Sequence, residues 1–183
     1  MNLLRLSPED PRYPARLHER LGSRAPATLH LLGDPELLGL PKTALCSSVH
    51  CPGVAINAAY DQAARWRDAG RCVISGFHSP MEEECLRILL RGPQPLIICP
   101  ARSLENMRVP RDWRESLRGG RLLVLSAFGL SDKRATAELA ARRNEVVVAL
   151  ADEVWMAHIT PGGAMSRLVG SLAAWGVPVC LPG

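Results

Sequence analysis

The chain has 183 residues, of which 47% are hydrophobic and 22% are charged, with a formal net charge of +4. This length is typical of one domain, and the composition is that of a soluble globular protein with a core of normal size. The mild positive charge permits nucleic-acid binding without requiring it. No apolar run is long enough to span a membrane and no signal peptide is recognisable, so we expect a cytoplasmic protein with no membrane contact.

Residues 1–41 are rich in proline and differ in pattern from the rest of the chain. Tyr13-Pro14 precedes a short predicted helix that ends near Leu21-Gly22, and residues 27–32 predict a short strand. We interpret this segment as a small N-terminal extension packed on a main domain that covers residues 42–183.

From Lys42 onward, short apolar strands alternate with helices. Predicted strands cover residues 43–47, 71–75, 95–99, 121–125, 153–157 and 177–181. Predicted helices cover residues 55–69, 81–90, 111–118, 132–150 and 164–175, and the fourth is expected to bend near Asn144. Strands that are apolar throughout and alternate with helices indicate a parallel sheet buried on both faces. The predicted fold class is α/β, doubly wound, with helices on both faces of the sheet.

Ligands of such folds bind beyond the carboxyl ends of the strands. In this chain those positions are rich in serine, glycine and histidine, which suit close backbone approach and hydroxyl contacts to phosphate or ribose. The segments concerned are residues 47–50, 75–78, 100–103, 126–129 and 158–163.

Two of these segments place glycine directly before a helix. Ser75-Gly76 lies between a predicted strand and helix, and Pro161-Gly162-Gly163 precedes a helix that starts at Ala164. Unpaired amides at a helix N-terminus or in a glycine-containing nest bind anions, although a plain turn uses the same residues. The nearby Arg142-Arg143-Asn144 is interpreted either as a phosphate-binding group or as a solvated helix face.

Metal and nucleophilic chemistry have weak support in the sequence. His50, His78 and His158 each fall at a predicted strand end, where they could act as acid–base or metal groups. The spacing of Cys46, His50 and Cys51 matches no standard zinc pattern, and no Gly-x-Ser-x-Gly motif is present. None of the six cysteines forms a Cys-x-x-Cys pair, so we expect reduced thiols. We therefore predict no catalytic residue, no metal and no cofactor.

The chain resembles the DprA/Smf family of DNA-processing proteins along nearly all of its length. Residues 13–17, Tyr-Pro-Ala-Arg-Leu, are similar to the family's Tyr-Pro-x-x-Leu opening. Ser75-Gly76-Phe77 is similar to its Ser-Gly-Leu/Phe loop, and Arg143-Asn144 with the apolar run that follows is similar to its Arg-Asn-Arg stretch. The end, Leu181-Pro182-Gly183, is similar to the family's Val-Pro-Gly strand end.

This resemblance implies an extended Rossmann-like domain that binds single-stranded DNA in a basic pocket. It also implies a homodimer that hands the strand to a RecA-type recombinase in recombination or natural transformation, without catalysis. The candidate DNA- or nucleotide-phosphate-binding residues are Ser47, Ser48, Ser75, Gly76, Phe77, His78, Arg142, Arg143, Asn144, Thr160, Pro161, Gly162 and Gly163.

The chain departs from the family pattern at several positions. Val49 stands where the family has an arginine, and Leu86 stands where it has a histidine. Residues 80–82, Pro-Met-Glu, replace Gly-Ile-Asp, and Glu145 replaces the second arginine of Arg-Asn-Arg. We expect Glu145 to reverse a charge inside the DNA pocket, and lost phosphate contacts to lower both the affinity and its salt dependence.

The Pro-Gly-Gly element also resembles the lysine-decarboxylase-like LOG proteins, which release the base from nucleoside monophosphates. Their Pro-Gly-Gly-x-Gly-Thr-x-x-Glu pattern ends in a catalytic glutamate, and Val169 occupies that position here, which argues against the hydrolase. Three hypotheses stay open: a single-stranded DNA-binding protein, a LOG-like protein that binds or hydrolyses nucleotides, and a degenerate nucleotide sensor or scaffold.

Overall fold

The computed structural model describes residues 2–48 and 51–182, which form one mostly parallel sheet with helices on both faces. The strands are β1 (Leu4–Leu6), β2 (Leu29–Gly33), β3 (Lys42–Cys46), β4 (Cys72–Ser75), β5 (Leu96–Ile98), β6 (Leu122–Ser126), β7 (Glu153–Met156) and β8 (Val179–Cys180). The α-helices are α1 (Arg16–Leu21), α2 (Gly53–Asp68), α3 (Pro80–Leu90), α4 (Arg114–Arg118), α5 (Ala137–Leu150) and α6 (Ala164–Ala174). Short 3-10 helices cover Gly22–Arg24, Pro35–Gly39 and Arg111–Trp113.

The strand order across the sheet is β1-β2-β6-β5-β4-β3-β7-β8. Strands β3 to β8 are parallel, whereas β2 pairs antiparallel with both β1 and β6. The chain winds outward from β3 to β6 and then returns to add β7 on the other side of β3. The predicted Rossmann-like, doubly wound α/β fold is confirmed, and its topological switch point lies between β3 and β7.

Each face of the sheet carries its own hydrophobic core. Helices α1, α5 and α6 cover the first core, and α2, α3 and α4 cover the second. Successive residues of a strand point to opposite faces, so in β4 Ile74 belongs to the first core and Val73 to the second. In the second core Trp66 of α2 meets Trp155 of β7 edge to face, with ring centroids 5.6 Å apart. Burial on both faces explains why the strands are apolar throughout.

The predicted start of the fourth long helix is wrong. Residues 132–136 form a loop, and α5 begins at Ala137 because the Thr136 side chain accepts a hydrogen bond from the Leu139 amide. Asp132 is held in the loop, since its amide donates to Gly129 and its carbonyl accepts from Ser103. The helix then continues through Asn144 to Leu150.

Most other boundaries differ from the predicted ones by two residues or fewer. Strand β1 was not predicted, and β8 is shorter than predicted because Pro178 has no amide to donate and the Val177 amide donates to Leu172 of α6. No helix in the described part of the chain has the length and apolarity needed to cross a bilayer.

The first segment of the chain supplies β1 and β2 to the common sheet and α1 to the first core. Two arginines of α1 bind the carboxyl end of α5: Arg20 donates to the Ala149 and Ala151 carbonyls, and Arg16 donates to the Leu150 carbonyl. Cations suit this end of a helix, where carbonyls are unpaired and the dipole is negative. The division at residues 41 and 42 stays a prediction.

Asp152 connects these elements at the amino end of β3. Its carboxylate accepts hydrogen bonds from the Lys42 amide at 2.8 Å and from the Arg16 guanidinium at 2.9 Å. Burial acts to raise the pKa of Asp152, but these hydrogen bonds and the positive charges of Arg16 and Lys42 outweigh it and hold the pKa below 3.8.

We predict that Asp152→Asn lowers the free energy of unfolding near neutral pH by about 1–2 kcal/mol, since the partly exposed carboxylate loses charge-assisted hydrogen bonds. A carboxylate whose pKa is lowered by folding stabilises the folded state at pH values above its unfolded pKa. This stabilisation is lost as the pH falls through its folded pKa. The difference between the two proteins should therefore shrink as the pH falls below 3.8. Chemical denaturation across a pH series measures this, with Asp61→Asn, on the exposed face of α2, as the control. A difference that is independent of pH would contradict the prediction.

Candidate nucleic-acid interface

A pocket of about 400 Å³ lies at the switch point, beyond the carboxyl ends of β3 and β7. We call it the switch pocket. Its walls come from the loops after these strands and from the first turns of α3, α5 and α6. The predicted site residues that line it are Ser47, Ser48, His78, Arg143, Asn144, Thr160 and Gly163. Ser75, Gly76, Phe77, Arg142, Pro161 and Gly162 lie outside its lining.

The loops after β3 and β7 are hydrogen-bonded to each other. The Ser48 amide donates to the His158 carbonyl at 2.9 Å, and the Ser48 hydroxyl oxygen accepts from the Thr160 amide at 2.8 Å. The Ala157 amide also donates to the Cys46 carbonyl. These bonds extend the β3–β7 pairing past the strand ends and fix the floor of the switch pocket.

The N-terminus of α6 forms one wall of the pocket. Gly162 has a φ of +73°, a left-handed conformation that favours glycine, and the Gly163 amide closes the turn by donating to the Thr160 carbonyl. No side chain of the described residues caps this helix. Its first amides, at Ala164 and Met165 on the pocket wall, carry the positive end of the helix dipole, so this wall suits an anion.

Arg143 separates the switch pocket from a second pocket. Its side chain is buried, with Nη1 donating to the Cys99 carbonyl at 3.1 Å and Nε donating to the Asn144 side chain at 2.7 Å. The guanidinium lies so close to Gly76 that a Cβ at that position would overlap it. The glycine of the Ser-Gly loop therefore makes room for the Arg143 guanidinium.

Ser75 and Phe77 shape the same loop. The Ser75 hydroxyl is fully buried; it donates to the Leu45 carbonyl at 2.8 Å and its oxygen accepts from the Phe77 amide at 3.3 Å. Phe77 adopts a φ of +46°, unusual for a side chain of this size, and packs in the second core. These two residues hold the loop in place, and no polar group of Ser75 remains free for a ligand.

Glu82 is a pocket residue that the sequence analysis did not identify as part of the site. It belongs to a capping box at the start of α3, in which the Ser79 hydroxyl accepts from the Glu82 amide and the Glu82 carboxylate accepts from the Ser79 amide. A serine followed three residues later by a glutamate is the sequence pattern of a capping box. The position of this glutamate in the switch pocket follows only from the fold.

Thiol nucleophile chemistry is disfavoured on the pocket floor. Burial raises the pKa of Cys46 to about 12, with a further rise from Glu82 that exceeds the opposing effect of Arg143. The thiol therefore stays protonated at neutral pH. Among residues 2–48 and 51–182, no group of three or more histidine, cysteine or acidic side chains is placed to hold a metal ion.

Two further pockets lie beside the switch pocket along the carboxyl edge of the sheet. The second, of about 190 Å³, shares His78 and Arg143 with the switch pocket. The third, of about 500 Å³, shares Arg102 and Arg108 with the second and adds Lys133. Arg102 lies in one of the predicted strand-end segments, residues 100–103. Arg108 and Lys133 lie in long loops, where no sequence pattern predicted a ligand contact.

The positions at which the chain departs from the family patterns lie in different parts of the structure. Glu145 lies outside the switch pocket, in a depression of about 60 Å³ beside it, and pairs with Arg24 at 2.7 Å. Glu145 therefore does not line the switch pocket, and the expected charge reversal in a DNA pocket stays a prediction. Leu86 is buried in the second core, and Val169 packs partly buried against the first. Val49 and His50 lie outside the described residues.

Comparison with known proteins identifies relatives of the whole chain. A family model described as DNA recombination-mediator protein A matches residues 5–166. The structure resembles DNA processing protein A from Streptococcus pneumoniae with a TM-score of 0.76 and 20% identity, covering 100% of this chain and 64% of that chain. It resembles the Helicobacter pylori protein, whose single-stranded DNA binding mode is known, with a TM-score of 0.74 and 16% identity, covering 99% of this chain and 80% of that one.

A more distant match is the molybdenum cofactor binding protein from Rippkaea orientalis, with a TM-score of 0.51 and 16% identity over 77% of this chain and 75% of that chain. No curated protein matches the chain in sequence. At these identities the structural matches establish the fold. The chain spans 64% of the length of the Streptococcus pneumoniae protein.

The packing of Gly76 against Arg143 can be tested by mutation. We expect Gly76→Ala to destabilise the protein by about 1–2 kcal/mol, because the added methyl group displaces the buried guanidinium and breaks its hydrogen bond to the Cys99 carbonyl. In an Arg143→Ala background the same change should cost little, so the double-mutant cycle gives a clear coupling energy. Chemical denaturation of the four proteins measures it. Gly129→Ala, in the loop after β6, is the control because a Cβ there meets no atom within 4 Å. Equal costs in both backgrounds would contradict the packing described.

Proposed function

The chain belongs to the DNA recombination-mediator protein A family, and from this premise we propose that it binds single-stranded DNA along the carboxyl edge of its sheet. The role of this binding is to support recombination or natural transformation. The observation that carries the proposal is a row of three pockets in which each shares lining residues with the next. The row begins at the N-terminus of α6, which suits an anion, and ends at the cations of the third pocket.

A strand fits this path better than a single small ligand. Proteins that hold single-stranded nucleic acid combine a cationic groove for the backbone with aromatic side chains on which bases stack. Here Arg102, Arg108 and Lys133 provide cations, and Trp113 lines the second pocket. Arg102, Arg108 and Lys133 are exposed, as contacts to a phosphate backbone require. Arg143 is buried, so its charge acts on the pockets at either side from a fixed position.

The relatives support the same proposal. The Helicobacter pylori protein binds single-stranded DNA, and its fold is matched over nearly all of this chain. Transfer of the strand to a RecA-type recombinase and assembly as a homodimer are further parts of the proposal. Light scattering on the purified protein tests the dimer, and co-precipitation with a recombinase on DNA tests the transfer.

We propose binding without catalysis. A LOG-type hydrolase needs an acidic group where this chain has Val169, which packs partly buried against the first core. The Cys46 thiol is also held in its protonated form. Nucleotide binding is a second candidate function, favoured by the size of the switch pocket, since about 400 Å³ lies within the usual range for small-molecule sites.

A charge placed at the start of α6 tests the DNA-binding proposal. Ala164 is exposed on the wall of the switch pocket, and Ala164→Asp puts a carboxylate where we propose a phosphate. A negative charge at this end of a helix favours the helix itself, so the fold should be retained. We expect the affinity for a labelled single-stranded oligonucleotide to fall by about tenfold in fluorescence anisotropy.

The control is Gly170→Asp, which adds the same charge to the same helix at an exposed position outside the pocket. Titrations in a salt series should give a logarithmic slope of about −0.7 for each phosphate neutralised. Undiminished binding by Ala164→Asp would place the DNA elsewhere, and an absence of binding at low salt would refute the function. Thermal shifts with a nucleotide panel separate the second candidate from the first.

A further inference from the structure

Among the described residues, only one oxygen of the Glu82 carboxylate has hydrogen-bond partners. Oε2 accepts hydrogen bonds from the His78 and Ser79 amides, each at 3.1 Å. Oε1 has no hydrogen-bond partner among the described residues, although only 9% of the residue is exposed. Glu82 also lines the switch pocket. The capping of α3 uses only Oε2, so it assigns no role to the second oxygen of this pocket residue.

A carboxylate in an anion-binding pocket is unfavourable unless it meets a donor, because it repels the phosphates that the rest of the site attracts. Arg143 and Asn144 line the same pocket and bring donor groups to it. The pocket therefore combines a free acceptor with donors, and it also has the helix N-terminus for phosphate. An exocyclic amine on a nucleotide base would satisfy the carboxylate, while the phosphate of the same nucleotide meets the helix N-terminus.

We infer that Glu82 reads the base held in the switch pocket, favouring bases with an exocyclic amine over thymine. The inference rests on the proposed binding of single-stranded DNA. A carboxylate oxygen accepts a hydrogen bond from N4 of cytosine, whereas thymine presents the O4 carbonyl at that position and is repelled. The expected discrimination between cytosine and thymine is about tenfold in affinity, the low end for a single good base contact.

The test compares oligodeoxycytidine with oligothymidine of equal length by fluorescence anisotropy at low salt. The native protein should bind oligodeoxycytidine about tenfold more tightly. In Glu82→Gln the preference should disappear or reverse, because the amide can donate to O4 of thymine. Glutamine also keeps one carbonyl oxygen for the capping box, so the start of α3 is retained. Glu83→Gln removes the same charge from the same turn at an exposed position outside the pocket, and it should keep the native preference.

A change to the ligand tests the inference on the native protein alone. An oligomer of 2-pyrimidinone deoxyriboside, which lacks the exocyclic amine of cytosine, should bind about as weakly as oligothymidine. Equal native affinities for all three oligomers, or an unchanged preference in Glu82→Gln, would overturn the inference while leaving DNA binding intact. No binding of any oligomer would instead overturn the proposed function on which it rests.

Discussion

The packing of the Arg143 guanidinium on Gly76 is the contact on which the rest of the site depends. It fixes α5 against the carboxyl ends of β4 and β5, because the same side chain donates to the Cys99 carbonyl just after β5. With α5 fixed there, its first turns form one wall of the switch pocket and face the start of α6. An arginine from a helix and a glycine from a distant loop thus form one structural unit. The buried charge sits between two pockets rather than projecting into solvent.

In this arrangement, the residues that shape the loops differ from the groups that would contact a ligand. Ser75, Gly76 and Phe77 set the shape of the loop after β4, and Ser48 fixes the loop after β7 through the Thr160 amide. The groups of the described residues that we propose meet the ligand are the first amides of α6, the exposed cations along the sheet edge and the Glu82 carboxylate. Backbone amides and arginines suit phosphate, whereas a carboxylate suits a base amine. A bound strand would place different parts of a nucleotide against these groups.

Much of the fold could be predicted from the sequence, because apolar strands alternating with helices allow few arrangements. The start of α5 could not, since the capping hydroxyl of Thr136 outweighs a pattern that reads as helical from Asp132. Strand β1 was missed because Leu4–Leu6 is too short to show a period. Three of the five strand-end segments contribute residues to the switch pocket, but the roles of these residues depend on partners far apart in the chain. Gly76 meets Arg143, Glu145 meets Arg24, and neither contact leaves a local signal.

The most direct test of the central claim is a structure of the protein with a short single-stranded oligonucleotide bound. The arrangement of the pockets predicts a phosphate against the Ala164 and Met165 amides at the start of α6. It also predicts that the strand continues past Arg143 toward Arg108 and Lys133. A strand bound on another face, with the switch pocket empty, would contradict the claim that the switch point is the DNA-binding site.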